Sequence, residues 1–176
     1  MKKFPLLSIF LFTVAWNLLA CRAITNFFSS PVDNTLPSSP NTPSNSYILL
    51  HAGDFEAVIV PQEQASDFLY SLHGERTTEN WTPTEEDILQ LEEQINAYLE
   101  ELPPNSLMPL SEYQRQYAGA IIKEHRLLYG NYFCQTFDVD WHKRPLVVLD
   151  GGNCFFQVVY DIQTQDFVSF NINGEG

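Results

Sequence analysis

Asp138, Asp140 and His142 alternate in Asp138-Val139-Asp140-Trp141-His142, so on an extended strand they would share a face and could approach one cation. The stretch lacks the glycine and the distal glutamate of a calcium loop, and a polar connection between strands is the better account of it. Asp161 and Asp166 flank a hairpin turn, where carboxylates accept local backbone hydrogen bonds more often than they form a catalytic acid pair. Nucleophilic catalysis asks for Ser or Cys beside His and an orienting acid. The chain holds no Gly-x-Ser-x-Gly elbow, and neither Cys134 nor Cys154 has a recognised catalytic context. Asp150-Gly151-Gly152 matches neither the dinucleotide nor the P-loop pattern and precedes a strand-like run, which reads as a structural corner. His51, His73, His125 and His142 are scattered without zinc-like pairing. The expectation is a non-catalytic protein with no metal and no cofactor.

The aromatics are the remaining lead, because Tyr113, Tyr117, Tyr129, Tyr132, Phe133, Trp141, Phe155, Phe156, Tyr160, Phe167 and Phe170 crowd the second half of the chain. Most belong to a core. One long helix cannot cover both faces of a sheet, so a leftover aromatic face with Arg115, Gln116 and Tyr117 is the candidate binding surface. Substituting Arg115 on such a surface should weaken a contact without unfolding the domain.

Address comes from the N-terminus. Lys2 and Lys3 form a positive region, and Phe4 to Trp16 form an apolar run too short to span a bilayer. Leu18-Leu19-Ala20-Cys21 closes that run and resembles the lipobox of a bacterial lipoprotein precursor. The resemblance implies removal of residues 1–20 as a signal peptide and acylation of Cys21. Acyl chains contribute about 0.8 kcal/mol per buried methylene, enough to hold a soluble domain on a membrane. Arg22, where an aspartate would signal inner-membrane retention, leans toward the outer membrane with the domain facing the periplasm. In that oxidising compartment Cys134 and Cys154 are a candidate disulfide, worth on the order of 3 kcal/mol for a loop of about 20 residues. Two buried free thiols are the alternative.

Charge points the same way. The formal net charge is −13, and losing Lys2 and Lys3 with the signal segment leaves 22 acids against 7 bases, a balance of −15. Such a surface repels phosphate backbones and argues against nucleic acid as a partner; it favours solubility and cationic partners. Between Ser29 and Ser46 nearly every residue is Ser, Pro, Asn, Thr or Asp, a composition that cannot bury enough surface to fold. Residues 21–46 are therefore expected to be the lipidated cysteine and a tether, and residues 47–176 a single α+β domain.

Within that domain, short β-prone runs at Tyr47 to Leu50 and Phe55 to Val60 surround a turn-like tetrad, His51-Ala52-Gly53-Asp54. Gln62 to Leu72 could form a short helix, followed by a loop from His73 to Glu79. The longest helix should run from Pro83 to about Leu102, with Thr82 as its cap, Pro83 at the first position and Glu85 completing a capping box. Ile88, Leu91, Ile95, Tyr98, Leu99 and Leu102 make its apolar stripe, with Glu86, Asp87, Glu92, Glu93 and Glu100 on the other side. Beyond Pro103-Pro104 the pattern turns to β-prone runs at Tyr113 to Ile122, Leu127 to Thr136, Leu146 to Leu149, Cys154 to Asp161 and Asp166 to Asn171. Their short connections predict one long helix packed on a curved antiparallel β-meander, with Gly119 and Asp150-Gly151-Gly152 at bulges or bends.

The stretches Arg115-Gln116-Tyr117-Ala118-Gly119, Asn131-Tyr132-Phe133-Cys134, Asp150-Gly151-Gly152, and Tyr160-Asp161 through Asn173-Gly174 resemble a group of uncharacterised bacterial secreted proteins and lipoproteins. The likeness spans Trp81 to the C-terminus and implies a compact envelope domain without an established activity. The order of elements is similar to cystatin-like and NTF2-like folds. The Gln-x-Val-x-Gly loop of inhibitory cystatins is not reproduced by Gln116-Tyr117-Ala118-Gly119. The expectation is a lipid-anchored envelope protein with a binding or structural role, its partners the membrane through Cys21 and an envelope protein. The alternatives are an inhibitor of an envelope-attacking lysozyme or protease, and a small NTF2-like enzyme or ligand-binding domain.

Overall fold

The computed structural model describes residues 46–104 and 106–174; the expected signal segment, Cys21 and the tether up to residue 45 lie outside them. Among the described residues the architecture is α+β, with two α-helices and a mixed sheet of seven strands. In chain order the elements are β1 (Ile48–Ala52), β2 (Phe55–Ile59), α1 (Gln62–His73), β3 (Asn80–Trp81), α2 (Glu85–Leu99), β4 (Gln114–Ile122), β5 (His125–Phe133), β6 (Phe155–Asp161) and β7 (Asp166–Ile172). No helix among the described residues is long and apolar enough to cross a membrane.

Thr84, not Thr82, caps α2. Its hydroxyl accepts the Asp87 N–H at 3.2 Å while the Asp87 carboxylate accepts the Thr84 N–H at 2.9 Å, a capping box two residues later than expected. Thr82 serves the other helix instead: its hydroxyl accepts the Gln62 N–H at 2.9 Å, where Pro61 offers no side-chain cap. A helix of this length is marginal alone in water, so the fully buried Ile88, Leu91 and Ile95 decide its stability at about 2 kcal/mol each. Glu92 lies in the same stripe and is buried, against the expectation that it faces solvent.

The expected meander exists from β4 to β7, each strand antiparallel to the next, with a bulge at Val159/Tyr160. Lys123 and Glu124 both take positive φ, as a tight two-residue hairpin turn between β4 and β5 requires. Upstream the pattern differs. β2 lies parallel to β4, with Ala57 opposite Arg115 and Ile59 opposite Tyr117, because α1, β3 and α2 intervene as a crossover. Leu146 to Leu149 form no strand.

β4 is covered on both of its faces, by α2 on one and α1 on the other. Ile88, Leu91 and Ile95 of α2 pack with Tyr117, Leu128, Tyr132, Phe156 and Tyr160 on one face. Ala65, Phe68 and Leu69 of α1 pack with Ala118, Ala120, Phe133 and Phe155 on the other. The long helix thus packs on the meander as expected, while the short helix expected from Gln62 covers the opposite face of β4.

Candidate functional site

Arg115, Gln116 and Tyr117 do not form a surface. All three are buried, alternating across β4, so Arg115 and Tyr117 face α2 while Gln116 faces the opposite side. The Arg115 Nε donates to Glu92 Oε1 at 3.1 Å, and its terminal nitrogens donate to the Tyr113 and Leu110 carbonyls at 2.6 and 2.9 Å. Its guanidinium also stacks 4.0 Å over the Phe55 ring. Glu92 Oε1 accepts from the Tyr117 and Tyr132 hydroxyls at 2.5 and 2.7 Å. Burial, then the neighbouring Glu92 carboxylate, push both phenols well above their ordinary range. This cluster is internally satisfied and closed, the state that a buried charge requires.

Gln116 is the centre of a second buried network. Its Nε2 donates to the Trp141 and Arg144 carbonyls, both at 2.7 Å, and its Oε1 accepts from the Leu146 N–H at 3.0 Å and Asn131 Nδ2 at 3.1 Å. Asn131 Nδ2 also donates to the Leu146 carbonyl at 2.9 Å. Side chains thus satisfy the main chain of the segment between β5 and β6, which explains why Leu146 lies beside the sheet without joining it. A disulfide joins Cys134 to Cys154 at the root of that segment, with the Cα atoms 5.2 Å apart.

The polar constellations of the sequence are engaged in separate pairs. His142 Nε2 lies 2.8 Å from Glu56 Oε1, and Asp140 accepts from Lys143 Nζ at 2.8 Å. Asp161 accepts the Gln163 N–H at 2.8 Å and pairs with His125 at 2.5 Å; although burial pushes its carboxyl up, these partners and the Thr164 N–H hold it below the usual carboxylate range. Among the described residues no three His, Cys, Asp or Glu side chains gather to hold a metal.

The open site lies elsewhere. α1 packs toward β4 and the Phe133–Phe155 end of this sheet face and leaves a groove of about 510 Å³ over the other end of β5 to β7. Tyr129, Val159, Ser169 and Asn171 form its floor, one from β5, one from β6 and two from β7. Opposite stand His73 at the end of α1 and the segment after it, with Glu75 and Thr78; Lys123 of the β4–β5 turn closes one end. The His73 and Tyr129 rings lie 5.5 Å apart. Burial lowers the His73 pKa below its ordinary 6.5 against an opposing pull from Glu75, which favours the neutral ring. The open face expected around Arg115 of β4 lies instead at one end of β5 to β7. The alternation Tyr129, Asn131 and Phe133 in β5 carried the signal for one face, whereas the span of α1 is not visible in a local pattern. No protein-family model, no curated protein and no solved structure matches the chain.

Proposed function

We propose that the chain is a lipid-anchored component of the bacterial cell envelope, held through Cys21 on the outer membrane, whose domain binds a partner without catalysis. The observation that carries the binding reading is the groove over β5 to β7: a cavity of about 510 Å³ whose Tyr129, Ser169 and Asn171 side chains bond to no other group among the described residues. The buried ionisable side chains beneath α2 support the same reading, since Glu92, Arg115, Tyr117 and Tyr132 bond to one another and fill the space between helix and sheet. The packing of α2 on the β4–β7 meander supports a cystatin-like or NTF2-like architecture as a likeness of layout.

The test has two arms. Cys21→Ser should release the protein from the membrane fraction, and retention would sink the anchor. A photo-crosslinking residue at Asn171 in living cells should yield a discrete adduct that the same residue at Leu89, exposed on α2, does not. Equal capture at both positions, or none at either, would remove the groove as the binding site.

A further inference from the structure

Most of the groove floor offers an incoming molecule no main chain. β5 and β6 are central strands paired on both sides, so recognition over them must come from side chains, and only the outer edge of β7, the last strand of the sheet, leaves main chain free at the margin. Those side chains are neutral and hydroxyl- or amide-bearing: the Tyr129 phenol, the Ser169 hydroxyl, the Asn171 amide and, on the wall, the Thr78 hydroxyl. Each is able to donate and accept. The ionic groups of the rim balance, with Glu75 against Lys123, while the Arg76 guanidinium is tied to Asp67 and rests over the Tyr70 ring. In a chain of net charge −13 this strip is nearly uncharged.

Resting on the binding reading above, we propose that the groove takes a neutral saccharide, a short stretch of glycan chain. A sugar ring presents an apolar C–H face, suited to the half-buried Tyr129 ring, and a rim of hydroxyls that each donate and accept, suited to Ser169, Asn171 and Thr78. The other ligand classes fit worse. An anion would meet a repelling field with Lys123 as the one rim cation not tied to an acid among the described residues. An extended peptide binds by main-chain pairing at a strand edge, which here is the outer margin of β7 and not the floor over β5 and β6 where Tyr129 and Val159 lie. The volume falls within the range of small-molecule sites, about 300 to 1,000 Å³.

The full chain in detergent micelles, titrated by NMR with chitotetraose and maltotetraose, tests this. The expected result is saturable binding of at least one of them, with shifts at the Asn171 amide and His73 ring. Tyr129→Ala should weaken it by about fivefold or more through loss of ring contact. Tyr129→Phe, which keeps the ring, should weaken it less, and its smaller structural change guards against a variant that fails to fold. Absence of saturable binding, or binding indifferent to both Tyr129→Ala and Asn171→Ala, overturns the saccharide. Crosslinks to a protein from Asn171 with both sugars silent would overturn the saccharide alone and leave the binding reading standing; silence in both experiments overturns both.

Discussion

Glu92 of α2 and Arg115 of β4 meet at 3.1 Å with side chains 8 % and 1 % exposed, an ion pair inside the interface between helix and sheet. Removing either partner strands a buried charge, at a cost of about 3 to 5 kcal/mol. Arg115→Ala and Glu92→Ala should each lower stability by that order in urea denaturation. The double change Glu92→Leu with Arg115→Met should cost less than the two singles together. A single variant within about 1 kcal/mol of the parent would mean that the pair is solvated. Arg115 is thereby a stability residue, contrary to the expectation that its substitution spares the fold.

Gln116 predicts a different failure. In Gln116→Ala the Trp141 and Arg144 carbonyls and the Leu146 N–H lose their partner while Asn131 still holds the Leu146 carbonyl. Each polar group left buried without a partner costs about 1 to 3 kcal/mol unless water reaches it. The segment should loosen before the sheet does, seen as faster amide exchange at Leu146 with β4 and β5 amides still protected. Uniform acceleration across both strands would contradict this division.

The two phenols beside Glu92 give alkaline sensitivity its sign. Tyr117 and Tyr132 are raised in the folded state above the ordinary value of about 10, by burial first and by Glu92 second. Above that pH the unfolded chain releases phenolic protons that the folded chain retains, so stability is fully present below about pH 10 and falls as pH rises. The slope approaches about 1.4 kcal/mol per pH unit for each phenol. Tyr117→Phe should flatten it by one phenol, measured as the pH dependence of the urea midpoint. An unchanged slope would show that the phenol ionises as readily when folded.

Much of this fold was legible in local pattern. The helices, the hairpins and the strands from Gln114 onward follow from periodicity and turn residues, because those signals act between near neighbours. Thr82 and Thr84 each stand three residues before an acid, so local rules could not choose between them. The choice was made by Gln62, whose N–H takes Thr82 from 20 residues away. Glu92 was legible in principle: it stands four residues after Ile88 and three before Ile95, inside the apolar stripe. Polar residues default to the surface in such a reading, which misplaced Arg115 and Gln116 as well. The uninterrupted apolar character of Tyr117 to Ile122 was the sign that β4 is covered on both faces. The parallel pairing of β2 with β4, and so the location of the bare face, depends on a crossover that no local pattern encodes.

The disulfide closes the segment between β5 and β6, with Cys134 and Cys154 separated by 20 residues. A loop of that length stabilises by about 3 kcal/mol through restriction of the unfolded chain. Reduction should lower the urea midpoint accordingly, and Cys134→Ala with Cys154→Ala should reproduce the loss. Equal midpoints with and without reductant would show that the link contributes nothing to stability.

Gly119 leaves room for one residue, Trp81. A Cβ at position 119 would stand 2.5 Å from the Trp81 carbonyl oxygen and 2.6 Å from its indole, and the oxygen belongs to rigid main chain paired with β4. The Arg126 guanidinium lies over that indole 3.9 Å away, and the indole Nε1 donates to the Ala120 carbonyl at 3.2 Å. Trp81 cannot retreat without giving up both contacts, so Gly119→Ala should cost about 1 to 3 kcal/mol as overpacking. Near-ultraviolet circular dichroism should report the displaced indole, and urea denaturation the cost. A variant with the parent's stability and an unchanged indole signal would show that β3 can shift away from β4 freely, and that its two-residue pairing is incidental to the fold.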